Sequence, residues 1–149
     1  MENNSIIYKL ILFIAIMMSV FSCNKTQEHK ESPFIIVVKL LSAEQKLDYN
    51  EAQKYIDVDK VYSKYLGSKD PEKEWKELLQ FNYNLGKDPK FSNSIDFYKY
   101  DITENITKED ATVVLTEKDI EAPIKKIIYK LDFLQNQWIV TSIDYIKNE

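Results

Sequence analysis

The chain predicts an α+β fold, with N-terminal helices packed on a four-stranded antiparallel sheet. Three observations carry the prediction. Between residues 32 and 86, apolar residues recur at three- and four-residue spacing between acidic caps, prolines and glycines. From about residue 94 the apolar period becomes two, as in strands with one buried face. The helical and extended segments follow one another without interleaving, which argues against parallel βαβ units.

Ser32-Pro33 opens the first helix, with serine as cap and proline in the first helical position. Phe34, Val37, Val38 and Leu41 then fall on one face, and Ile35, Ile36 and Leu40 broaden it. The β-branched start of this run also suits a strand, but its length and the following Ser-Ala-Glu-Gln-Lys-Leu favour helix. Asp48 with Glu51 has the logic of a capping box and starts a short helix running through Ile56. Asp57 caps another, in which Val58, Val61, Tyr62 and Tyr65 recur before Gly67. Asp70-Pro71-Glu72 starts the longest of these helices, with Trp75, Leu78, Leu79 and Leu85 inward and Gly86 as its stop.

Four strands follow. Residues 94–102 read as the first, and residues 111–117 as the second, with Ala111, Val113 and Leu115 on one face. Ile127, Tyr129, Leu131 and Phe133 alternate with Lys126, Lys130 and Asp132 in the third. Gln135-Asn136 turns the chain into the fourth, where Trp138 and Val140 share a face but Ile143 and Tyr145 are out of phase with them. A β-bulge near Thr141 or Ser142 restores the alignment.

Residues 10–20 are apolar except for Ser19 and follow Lys9. The run is short for a membrane span, which takes about 20 apolar residues, and fits an export signal. Val20-Phe21-Ser22-Cys23 resembles the lipobox of bacterial lipoproteins, with Phe21 departing from the usual small residue at minus two. That resemblance implies cleavage after residue 22 and lipid on Cys23, with residues 24–32 as tether and 33–149 as one domain. Cys23 is the single cysteine, so no disulfide forms within the chain. An incidental thiol in an uncleaved anchor is the rival reading, but it leaves the position of the residue unexplained. Two or more acyl chains hold a protein stably where one does not. Asn24 is not the aspartate read as an inner-membrane retention signal, so the expected location is the cell envelope, at the outer rather than the inner membrane.

The composition narrows the function. The formal charge is −4, which argues against nucleic acid as partner. All 20 basic residues are lysine, so there is no bidentate guanidinium for phosphate. His29, the single histidine, lies in the tether, so no histidine–cysteine metal site is expected and no cofactor is implied. With Gly67 and Gly86 the only glycines, there is neither a phosphate loop nor a nucleophile elbow.

The order of elements, with "DYNEAQKYID" early and "YKLDFLQNQWIVTSIDY" at the end, resembles the cone-shaped fold of the nuclear-transport-factor-like superfamily over residues 33–146. The resemblance implies a curved sheet and a pocket between sheet and helices. The aromatic candidates for its lining are Tyr55, Tyr62, Tyr65, Trp75, Tyr98, Tyr100 and Tyr129, each weighed against plain core packing, while Trp138 reads as pure core. The superfamily's histidine–aspartate chemistry has no histidine here. Its tyrosine-plus-acid chemistry requires an inward carboxylic acid, for which Asp96, Asp101, Asp132 and Asp144 are the strand candidates. No catalytic residue is selected. The expectation is a membrane-tethered, non-catalytic binding module for a protein partner in the cell envelope, such as a complex subunit or a toxin-blocking protein. A cone holding a small apolar ligand is the alternative, followed by an isomerase- or dehydratase-like enzyme using tyrosine and aspartate.

Overall fold

The computed structural model describes residues 31–63, 69–88, 91 and 95–148. The leader, Cys23, most of the tether, Tyr65 and Gly67 lie outside the described residues. Helix α1 spans Pro33–Gln45, α2 spans Tyr49–Ala52, and a π-helical turn covers Asp59–Ser63. Helix α3 is Pro71–Leu85, and a 3₁₀ turn at Phe97–Lys99 leads into the sheet. The strands β1 (Tyr100–Ile106), β2 (Asp110–Glu117), β3 (Ile124–Leu134) and β4 (Gln137–Lys147) form an antiparallel meander in sequence order. The α+β class holds.

Local chemistry explains most boundaries. Asp48 Oδ1 accepts from the Glu51 amide and Asp70 Oδ1 from the Lys73 amide, both at 3.1 Å. Asp57 Oδ1 accepts from the Lys60 amide at 3.0 Å. Each cap satisfies an otherwise orphaned N–H. Ser32 departs from its expected role, because its side chain makes no cap hydrogen bond. Glu104 reaches over from β1, accepting from Ser32 Oγ and, at 2.6 Å, from the Phe34 amide. The cap of α1 is thus tertiary, and it ties the helix to the sheet.

Helix α1 buries Ile36, Val37, Leu40 and Ala43, while Ile35 is exposed and Phe34 and Leu41 are half-buried. The stripe is rotated from the expected one because the sheet lies under the Ile36–Leu40 side. In α3, Trp75 and Leu79 are buried, but Leu78 and Leu85 are exposed, contrary to expectation. This helix packs chiefly on the π-helical turn and α1, which cover only a narrow stripe of it.

Val113, Leu115, Tyr129, Leu131 and Val140 are fully buried on the helix-facing side of the sheet. Gln135 and Asn136 both have positive φ, 49° and 69°, as a two-residue type I′ hairpin requires. The bulge falls where the apolar phase demanded it: Lys130 pairs with Ser142 and Leu131 with Val140, leaving Thr141 as the extra residue. Beside it, the Val140 amide donates to the Tyr55 carbonyl at 2.8 Å and the Asp57 amide to the Val140 carbonyl at 2.9 Å. The segment after α2 thereby covers the outer edge of β4, which would otherwise be open to pairing. Residues 97–99 form a turn where the sequence read strand, and β1 begins only at Tyr100.

Candidate functional site

Helix α1 ends just past Glu44, which lies four residues beyond buried Leu40 and so leaves the helix on its core side. Trp75 stands on α3, one turn beyond the Asp70 cap, and is fully buried. Its Nε1 donates to Glu44 Oε1 at 2.9 Å. A buried indole N–H seeks an acceptor, and the acid supplies it.

In front of Glu44 is a cleft of about 190 Å³. Tyr129 of β3 and Ile143 and Tyr145 of β4 line it from the sheet, and Tyr62 from the π-helical turn. Leu78, Leu79, Asn82 and Tyr83 of α3 form another wall. Burial pushes the Glu44 carboxyl up to about 7, and the indole hydrogen bond opposes this only in part. The cause is desolvation, which disfavours the charged form. Tyr129 is pushed well above its ordinary value by burial first, then by Tyr145, Glu44, Tyr62 and Tyr100. Near neutral pH the cleft therefore holds an acid close to its midpoint beside a protonated phenol.

Of the expected lining residues, Tyr62 and Tyr129 are brought into this cleft. Trp75 sits behind Glu44 as its hydrogen-bond donor. Tyr55 belongs to a separate shallow groove beside α1, where its hydroxyl donates to Glu51 at 2.5 Å and this bond raises it to about 12. Tyr100 lies in register with Glu117 at the β1–β2 edge, and burial is the largest cause of its raised value. Tyr98 is 74% exposed, because the 3₁₀ turn breaks the alternation that would have turned it inward. Tyr65 lies outside the described residues.

No strand aspartate enters the cleft. Asp132 pairs with Lys60 at 3.1 Å, Asp144 with Lys130 at 3.3 Å and Asp96 with Lys99 at 3.0 Å, while Asp101 is exposed. The inward acid is Glu44, which the strand-based expectation missed, along with Tyr83, Asn82 and Tyr145. A signal for Glu44 existed, since it falls three residues after Leu41 and four after Leu40, on the apolar stripe. No protein family, curated protein or solved structure matches the chain. The site is therefore read from its own residues. Among the described residues no group of three or more histidine, cysteine or acidic side chains is placed to hold a metal ion.

Proposed function

We infer that this chain is a lipoprotein of the bacterial cell envelope, anchored through Cys23, whose domain binds a protein partner at the Glu44 cleft and does not catalyse. The observation that carries the binding reading is the mouth of the cleft. Leu78, Tyr83 and Tyr145 line it and are each more than a third exposed, so large apolar surfaces surround a recessed acid. Phe81 and Leu85 extend that surface along α3. Contiguous exposed apolar surface beside a pocket is a feature of protein-docking sites. The resemblance to nuclear-transport-factor-like cones is consistent with a site between helices and sheet.

A photo-crosslinking residue at Leu78 should give a discrete adduct in living cells, reduced by Glu44→Gln. The same residue at Lys126, which is exposed on β3, should give none. Equal adducts from both positions would remove the reading. For the anchor, the protein should incorporate labelled fatty acid and Cys23→Ser should abolish the label, whereas label that persists would exclude lipidation at this residue.

One observation favours a second reading. An acid near neutrality beside a protonated phenol suits proton transfer, with Glu44 rather than an aspartate as the acid–base group and Tyr129 as donor. Exchange of α-protons from small ketones into heavy water, lost in Glu44→Gln, would establish that chemistry. Exchange no faster than in buffer would leave the binding reading standing.

A further inference from the structure

The two edges of the sheet are unlike. At β4 the segment around Ile56 adds on as a parallel bridge to Val140 and takes up the strand's outward backbone groups. At β1, the other edge, no described residue pairs with the outer side. The Lys118 amide donates to the Lys99 carbonyl at 3.0 Å, and the Thr107 amide to the Asp110 carbonyl at 2.8 Å. These bonds fix the phase of the ladder between them. Asp101, Thr103 and Asn105 bond to β2, so Ile102, Glu104 and Ile106 turn their N–H and C=O groups outward. We propose that β1 is a docking edge for an extended segment of a partner protein. That segment adds to the sheet as a fifth strand, with apolar residues toward the helices and lysine or arginine on the opposite face. The site is separate from the Glu44 cleft, none of whose lining residues belongs to β1.

Three features fit. The edge lacks the usual guards against pairing: residues 100–106 contain no lysine and no proline, and the register with β2 runs unbroken through seven pairs. Glu104, whose charge on the inner face could repel a strand, is instead engaged by Ser32 Oγ and the Phe34 amide. On the helix side, Phe34 and Phe97 meet edge-on at 5.4 Å, and both rings and Ile102 are only partly buried. Apolar side chains from an added strand would complete their cover. On the opposite face, Asp101 has a side chain 74% exposed, beside Thr103 and Asn105, and residues 100–107 offer no basic group. That charge selects a basic partner. A second copy of β1 would set acid against acid with nothing to offset it. In strand addition, main-chain hydrogen bonds supply the affinity and alternate side chains the specificity.

The test uses the full chain in a neutral detergent and follows hydrogen exchange of single amides by NMR. The probe is the blocked peptide Lys-Val-Lys-Val-Lys-Val, compared with two isomers N-methylated at the three lysines or at the three valines. In the free chain the amides of Ile102, Glu104 and Ile106 should exchange quickly, and the peptide should slow them while leaving the Tyr129 amide unchanged. An added strand bonds through alternate residues, so methylation of one set should weaken binding about tenfold or more and methylation of the other should leave it. Asp101→Lys should weaken the unmethylated peptide by about twofold to fivefold, the worth of one cross-strand charge pair. Equal effects of the two methylations would overturn strand addition. Amides already slow in the dilute free chain would show the edge covered by this chain itself, and protection that grows with protein concentration would show a second copy there. Either result would overturn the partner. Three amides that stay fast in excess peptide would overturn the proposal outright.

Discussion

Trp138 and Trp75 are both buried, at 3% and 0% exposure, yet they occupy unlike surroundings. Trp138 packs edge-on against Phe133, with ring centroids 4.9 Å apart, in the hairpin that closes the sheet. Its neighbours are apolar and cross-strand. Trp75 meets Tyr49 edge-on at 5.8 Å but spends its N–H on Glu44, so its burial brings a titratable group into the interior. One ring fills space, and the other supports a site. A buried acid weakens the fold whenever it ionises, whereas a buried indole among apolar rings does not.

The largest effect should come from the apolar side. Trp138→Ala should cost about 3–5 kcal/mol in urea denaturation of the full chain, equally at pH 5 and pH 8. A loss below about 1 kcal/mol would place this ring outside the core. Glu44 should behave in the opposite way. Its folded value of about 7 lies above the unfolded value of 4.5, so the folded state holds the proton more tightly. The contribution of Glu44 to stability should be full below pH 4.5 and fall as pH rises through 7, by roughly 3 kcal/mol in total. Glu44→Gln should remove that slope, matching the unmutated protein at pH 4 and exceeding it by up to roughly 3 kcal/mol at pH 8. A pH-independent difference would mean that water reaches the carboxylate freely.

Trp75→Phe sharpens the contrast with the other ring. It keeps the aromatic volume but removes the donor, so the Glu44 midpoint should move above 7 and stability at pH 8 should drop by about 1.5–3 kcal/mol, less at pH 4. Trp138→Phe should show no such dependence on pH. The smallest effect belongs to the cap of the helix that carries Trp75. Asp70→Ala should cost about 1 kcal/mol, and displacement of the Trp75 indole signal would show that α3 sets the height of the donor over Glu44.

Several elements are legible in the amino-acid order. The caps at Asp48, Asp57 and Asp70, the turn at Gln135-Asn136 and the bulge at Thr141 all rest on interactions within a few residues or on an alternation with period two. The α+β class and the apolar faces of β2 and β3 follow from the same periodicity. The site is legible only in fragments. Tyr62 and Tyr129 are identifiable as large aromatic residues on periodic faces, but strand alternation gives Tyr98 the wrong orientation, because a 3₁₀ turn replaces the first part of that strand.

By itself, then, the sequence determined the order of helices and strands, the aspartate caps that start three of the helical segments, and the inward faces of β2 and β3, because hydrogen-bond caps and side-chain alternation are local. Only the tertiary structure decided which side of α1 meets the sheet, that Glu104 caps that helix from 70 residues away, and that Trp75 donates to Glu44 across 31. The reason is physical. A helix with apolar residues around most of its circumference does not encode its own rotation, and the acid that becomes buried is the one its packing partner covers.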